Sequence, residues 1–328
     1  MDLYRSIAPE LAKVEKEIEK MLRGEPEEVY GMLHPFIKRG GKRIRPALAI
    51  LSFNVVGGKG DEVIAPAALI EMFHNFTLIH DDIEDDSQFR RGEPTLHKKY
   101  GIPMALNSGD ALYTLIWEKL AHLDIDCEKF RTLERLFSSD FKKVVEGQGI
   151  ELEWEHNRKF DVSEAQYFDM IGKKTAALMG LSCETGALLG NAGKKERAAL
   201  RKFGEGIGVA FQIQDDVLNI LGDFGKYQKE IGGDITEGKR TLMVSHCMRH
   251  AEKDERKKLL SILSAHTGSK EDINYVIGLF RKYGSTDYAK GHAEGMVADA
   301  KKQLEIFRDS EHKKSLASIS DFVVSREK

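Results

Sequence analysis

The 328-residue sequence predicts an all-α protein, and three observations carry that expectation. All seven prolines lie at or before Pro103, so the rest of the chain lacks the strongest helix breaker. Apolar residues recur at intervals of three and four, the signature of amphipathic helices. Strict alternation over a strand's length is scarce, and Asn-Gly and Asp-Gly hairpin turns are absent.

In chain order, Leu3, Ile7, Leu11, Val14 and Ile18 predict the first helix. Gly40-Gly41 breaks the pattern and leads into Lys42-Arg43-Ile44-Arg45-Pro46. Glycines let the backbone approach a diphosphate closely, and Lys and Arg neutralise it. The spacing departs from a Walker P-loop, so nucleotide binding is not implied, and taken alone such a run is as often solvated surface. Val63, Ala67, Ile70, Phe73 and Phe76 or Thr77 predict a helix that enters the acidic run Asp81-Asp82-Ile83-Glu84-Asp85-Asp86. Positions i and i+4 share a helix face, so Asp81 and Asp85 point together, with Asp82 rotated aside. Mg²⁺ takes few carboxylates and completes its shell with water and phosphate oxygens, so a half-built set suits it. A calcium loop is excluded, because its glycine and terminal glutamate are missing.

Arg90-Arg91-Gly92-Glu93-Pro94 reads as a basic break, His156 to Asp161 as a polar loop, and Lys173-Lys174-Thr175 as a further cationic cluster. A second acidic site, Asp215-Asp216-Val217-Leu218-Asn219, follows the run Phe211-Gln212-Ile213-Gln214. Asn219 can offer a carbonyl oxygen to a metal but no charge. A lone Asp-Asp pair is usually a solvated helix face; two, both embedded in apolar sequence, point to metal. Gly232-Gly233 and Lys239-Arg240-Thr241 come next, and Leu316, Ile319, Phe322 and Val323 predict the last helix. None of the breaks has the length or low complexity of an interdomain linker, so one domain spanning residues 1–328 is expected.

The net charge of −3 gives no electrostatic case for nucleic-acid binding. Cys127, Cys183 and Cys247 show neither metal-ligand spacing nor a disulfide framework, which fits a reducing compartment. The first residues lack the basic-then-apolar pattern of a signal peptide, and no apolar run reaches membrane-spanning length. A cytoplasmic location without a transmembrane segment is the expectation.

These segments together resemble the trans-prenyltransferases, the polyprenyl diphosphate synthase family. The likeness runs in order from Gly41-Lys42-Arg43-Ile44-Arg45-Pro46 through His80-Asp81-Asp82, Arg90-Arg91-Gly92-Glu93-Pro94, Asn107-Ser108-Gly109-Asp110, Lys174-Thr175-Ala176 and Phe211 to Asp216, ending at Gly238-Lys239-Arg240-Thr241. The resemblance implies a single bundle of long helices around a deep central cavity, and a homodimer. It implies that Asp81, Asp82 and Asp85, with Asp215 and Asp216, bind Mg²⁺, about three ions per site as the family reading has it, with Mn²⁺ as a substitute. Lys42, Arg45, His74 and Arg91 resemble the isopentenyl diphosphate site. Arg90, Lys174 and Lys239 resemble contacts to the allylic diphosphate. Thr175 and Gln212 resemble polar groups facing the developing carbocation. The family's second motif usually ends in Asp where this chain has Asn219. Lys229, in Lys-Glu-Ile-Gly-Gly-Asp234, resembles the lysine of the following loop, although Gln228 stands where a glycine is expected.

The implied reaction is head-to-tail condensation of isopentenyl diphosphate with dimethylallyl, geranyl or farnesyl diphosphate. No dedicated protein base is evident, and the family reading gives proton removal to the released pyrophosphate. Phe76 lies five residues before Asp81, roughly 7.5 Å along the axis at about 1.5 Å per residue. An aromatic there, with small Thr77 next to it, resembles archaeal-type geranylgeranyl diphosphate synthases, which make the C20 product; Phe73, one turn deeper, is a candidate second floor. A C15 or mixed C15/C20 synthase is the nearest alternative. A non-catalytic partner subunit or a terpene cyclase are the rivals of different class; the cyclase leaves the cluster at Lys42 and Arg45 unexplained.

Overall fold

The computed structural model describes residues 4–24, 26–221, 232–266 and 268–325. The regular secondary structure among those residues is helical apart from two strands of two residues each, as expected of an all-α chain. They pack as two compact units. The first comprises Met1–Phe141, Leu181–Arg201 and Ile306–Leu316, and the second Lys142–Gly180, Lys202–Glu305 and Ala317–Lys328. The divisions fall inside helical segments, not at linkers.

In the first unit, α1 (Ala8–Met21) buries Val14 and Ile18, as the periodicity predicts. The short α2 (Glu27–Tyr30) and α3 (Leu33–Lys38) lead to α4 (Ile44–Val55) and α5 (Ile64–Glu84). A two-stranded hairpin, β1 (Phe89–Arg90) and β2 (Glu93–Pro94), precedes α6 (Leu96–Tyr100) and α7 (Ile102–Ala121). Helix α5 packs against α7, α1 and α4. Pro9, Pro46, Pro66 and Pro103 all fall in the first turns of their helices, where the missing N–H has no intrahelical partner to lose.

The hairpin is a small addition to the helical chain that no Asn-Gly or Asp-Gly signal marks. Phe89 pairs with Pro94 and Arg90 with Glu93, leaving Arg91-Gly92 as a two-residue tip. Both tip residues have positive φ, 55° and 79°, which matches the right-handed twist of a tight antiparallel pair. Arginine rarely adopts that region, so the turn carries no Asn-Gly or Asp-Gly label in the sequence.

Helices α8 (Cys127–His156), α10 (Ala177–Leu189) and α11 (Lys194–Leu221) contribute residues to both units. In the second unit, α9 (Glu164–Ile171) starts with a capping box between Ser163 and Gln166. It runs into a π-helical turn, Gly172–Ala176. Further helices cover Gly233–Thr236, Leu242–His250, Lys253–Ala265, Lys270–Lys282 and Ser285–Lys302. Their shared core includes Tyr167, Ile213, Val217, Leu242, Cys247 and Phe280. The last helix, Glu311–Ser325, buries Leu316, Ile319 and Val323, as predicted.

Candidate active site

In the first unit, the site grows from the C-terminal end of α5. Asp81 and Asp82 lie in its last turn, and Asp85 caps it with its N–H on the Asp81 carbonyl at 2.9 Å. Carboxylates at a helix C-terminus meet the negative end of the dipole, and no basic residue stands in that turn to offset them. The cation comes from the hairpin. Arg90 donates from Nε to Asp82 Oδ1 at 2.7 Å and reaches it from Nη2 at 2.5 Å, with Asp81 Oδ2 at 3.6 Å. Asp82 is 1% exposed, and its Oδ2 is buried without a hydrogen-bond partner. Burial raises the Asp82 pKa, and Arg90 pulls it back down.

The neighbouring Arg91 turns elsewhere. Gly41 has no side chain at the point where a Cβ would sit 2.7 Å from Arg91 Nη2. Its φ of 147° and the left-handed Arg43 after it shape the loop before α4. The three cations of that loop therefore differ in role. Arg43 is held by Glu15 and by Glu71 at 2.9 Å, and it donates to the Ile37 carbonyl at 3.1 Å. It is structural, whereas Lys42 is exposed and Arg45 partly buried. His74, on α5, is partly buried; burial and the charges of Arg45, Arg91, Arg90 and Arg43 hold its pKa well below the ordinary imidazole value. Lys42, Arg45, His74 and Arg91 thus all lie in the first unit, with His74 in the field of both arginines.

Behind them, Phe73 is fully buried and stacks on Phe141 with ring centroids 3.5 Å apart. Phe76 tilts against Phe73, Tyr113 and His80 at 5.4, 5.1 and 4.6 Å. Thr77 Oγ1 donates back to the His74 carbonyl at 2.8 Å. Tyr113 and Trp117 on α7 join this aromatic group and were invisible to reasoning along α5 alone. The Asn107-Ser108-Gly109-Asp110 segment explains how α7 comes so near, since a Cβ at Gly109 would lie 2.3 Å from His80 Nε2.

In the second unit, Lys174 and Thr175 lie in the π-helical turn, a distortion often found at functional sites. Two glycines pin it. A Cβ at Gly147 of α8 would lie 2.3 Å from the Lys174 backbone nitrogen, and one at Gly208 of α11 would lie 2.6 Å from Ala176 Cα. Lys174 pairs with Glu151, and Thr175 Oγ1 donates to Gln212 Oε1 at 2.9 Å. Gln212 Nε2 donates to Asp216 Oδ1 at 2.9 Å, and the buried Tyr167 hydroxyl donates to Asp216 Oδ2 at 2.7 Å. Burial, then Asp234, raises the Asp216 pKa; Gln212 and Tyr167 oppose the shift. Asp215 is partly buried.

Asn219 has a job of its own. Its Oδ1 accepts from the Asp234 N–H at 3.1 Å and its carbonyl from the Gly232 N–H at 2.9 Å. Lys239 pairs with Glu237 at 2.6 Å, with Asp234 at 3.9 Å. Lys229 lies outside the described residues. Sequence reasoning missed Tyr167, Glu151, Gly147 and Gly208. A glycine isolated inside a helical pattern was the available signal for the last two.

Among the described residues, no three His, Cys, Asp or Glu side chains form a ready metal cage, so water or substrate oxygens would have to complete any shell. The partnerless Oδ2 of Asp82 and the all-oxygen donor set fit a hard divalent ion.

A helical chain bearing two carboxylate motifs together with several basic ones has the make-up of a prenyltransferase. The chain belongs to the polyprenyl synthetase family, whose model matches residues 26–280. It is 40% identical over 302 residues to the short chain isoprenyl diphosphate synthase of Methanothermobacter thermautotrophicus, covering 92% of this chain and 91% of that one. Its structure is similar to geranylgeranyl pyrophosphate synthetase from Pyrococcus horikoshii, with a TM-score of 0.93, 34% identity and coverage of 99% and 98%. A polyprenyl synthase from Caulobacter crescentus, crystallised with calcium and isoprenyl diphosphate, matches with a TM-score of 0.92, 26% identity and coverage of 99% and 97%. Prenyl synthases generally use Mg²⁺ and take isopentenyl and allylic diphosphates as substrates. No helix among the described residues is long and apolar enough to cross a membrane.

Proposed function

We propose that this chain condenses isopentenyl diphosphate head-to-tail with dimethylallyl, geranyl and farnesyl diphosphates to give geranylgeranyl diphosphate. The observation that carries this reading is the ordered set of motifs, each on a local frame that suits its role. Phe76, with Phe73 and Tyr113 beside it, supports C20 as the length at which growth stops. A terpene cyclase would leave the group of Lys42, Arg45, His74 and Arg91 without a task.

Asp81, Asp82, Asp85 and Asp215 would hold Mg²⁺, three ions per site on the family pattern, with Mn²⁺ as a substitute; Asp216 belongs to the same motif. Bound Mg²⁺ supplies charge neutralisation to the departing pyrophosphate. Lys174 and Lys239 carry the cationic contacts to that group, and Arg90 fixes Asp82 in place. Lys42, Arg45, Arg91 and neutral His74 bind the second diphosphate. Thr175 and Gln212 present oxygen dipoles to the allylic cation. The new carbon–carbon bond forms from the isopentenyl double bond, the allylic carbon–oxygen bond breaks, and the proton leaves to pyrophosphate. Apolar walls such as Phe76 keep water from the cation.

One family model spanning 26–280 supports treating both units as one catalytic domain. Exposed Ile102, Met104 and Leu106 on α7 support a homodimer. The charge balance and cysteine pattern support a cytoplasmic location. The test is product analysis with each allylic starter in turn, beside Asp81→Ala. C20 product from wild type is expected, with turnover in the folded variant down by about two or more orders of magnitude. Near-normal turnover of Asp81→Ala under ordinary Mg²⁺ would remove the metal assignment.

A further inference from the structure

We propose that Tyr167 is a positioning residue for the condensation, acting through Asp216 and Gln212 on Thr175, and that Asp216 serves this chain of hydrogen bonds instead of ligating metal. The inference rests on the reading of Thr175 and Gln212 as the groups that face the allylic cation.

The geometry supplies a direction. Tyr167 donates to Asp216 Oδ2 at 2.7 Å, and Gln212 Nε2 donates to Oδ1 at 2.9 Å. Both carboxylate oxygens are therefore engaged inside the protein, and Asp216 is 7% exposed. Tyr167 on one oxygen and Gln212 Nε2 on the other make the carboxyl group an acceptor on both sides, and this sets which end of the Gln212 amide faces it. With Nε2 committed to Asp216, Oε1 is left to face Thr175. The Thr175 hydroxyl then spends its proton on Oε1 at 2.9 Å, and its lone pairs are free to stabilise positive charge. A reversed amide would turn a positive N–H edge toward the same place.

The anchor is stiff. Tyr167 is 1% exposed and sits on α9, whose first turn is held by its capping box and by the Tyr288 hydroxyl on both oxygens of Glu164 at 2.9 Å. Asp215 takes no part in the chain of bonds from Tyr167 to Thr175.

The test is a double-mutant cycle of Tyr167→Phe and Thr175→Val, with Thr175→Ser as the conservative control. Steady-state kinetics are read beside calorimetry of Mg²⁺ binding in the presence of inorganic pyrophosphate. Groups that act as a unit lose their effect together, so each single variant should lower kcat about tenfold and the double no further than the worse single. The KM for both diphosphates should stay within about twofold, Thr175→Ser should keep most of the turnover, and Mg²⁺ binding by Tyr167→Phe should match wild type. Additive losses, or a kcat unchanged in Tyr167→Phe, would overturn the positioning role. A roughly tenfold weaker Mg²⁺ affinity in Tyr167→Phe would overturn it by marking Asp216 as a ligand. If Tyr167→Phe does not fold, Asp216→Asn takes its place in the same cycle, with the same expected and overturning results. The two claims separate at the wild type: no condensation there overturns the proposed function, whereas normal wild-type turnover with additive losses overturns only the role of Tyr167.

Discussion

Arg90 donates to Asp82 at 2.7 Å, and the carboxylate is the more deeply buried partner, 1% exposed against 16% for the arginine side chain. Removing Arg90 leaves a buried charge without its cation. Arg90→Ala should cost about 3–5 kcal/mol of stability near neutral pH. The folded variant would relieve the charge by binding a proton, because burial already raises the Asp82 pKa and Arg90 is what lowers it. The deficit should therefore shrink as pH falls toward 5. Urea unfolding at both pH values checks this, and a deficit that does not change with pH would exonerate Asp82.

The π-helical turn depends on two absent side chains. Gly147→Ala would place a methyl 2.3 Å from the Lys174 backbone nitrogen, and backbone cannot swing aside as a side chain does. Turnover should fall about tenfold or more, with a melting temperature lower by several degrees. Gly149, in the same helix with open space around it, is the matched control, and Gly149→Ala should leave activity intact.

Phe76 and Phe73 should respond differently to truncation. Phe76 is partly buried, so Phe76→Ala opens room without gutting the core, and longer prenyl products are expected by chromatography. Phe73 is fully buried on Phe141, so Phe73→Ala should cost about 3–5 kcal/mol in denaturant unfolding. An unchanged product distribution in Phe76→Ala would clear Phe76 of setting chain length.

His74 gives the chain a pH dependence of known sign. Its folded pKa is lowered, first by burial and then by four arginines, so below the ordinary value of 6.5 the unfolded chain binds a proton that the folded chain refuses. Stability should fall as pH drops below about 6.5, by up to about 1.4 kcal/mol per pH unit from this one group. In His74→Asn that part of the slope should vanish, as thermal melts at pH 7 and 5.5 would reveal.

Much of this was legible in the sequence because periodicity and motif order are local. The spacing of Val14 and Ile18, and of Leu316, Ile319 and Val323, marked faces that are buried. The acidic runs stood out because repulsion that dense needs a cation. What stayed hidden depends on contacts between distant residues. Nothing adjacent to Arg43 reveals that Glu15 and Glu71 neutralise it. Tyr167 looks like any core aromatic until Asp216, 49 positions away, accepts its hydrogen bond. The hairpin escaped notice because an arginine holds the left-handed position usually given to Asn or Asp.

The cluster of negative charge at the tail of α5 has a cost at rest. Asp81, Asp82, Glu84, Asp85 and Asp86 crowd the end of a helix whose own field repels them. Heat tolerance should therefore track the supply of counter-ions. The protein should be at its most fragile in a chelator and hardest to melt when divalent ions and diphosphates are both abundant. Survival on warming becomes a gauge of whether the raw materials of its reaction are at hand.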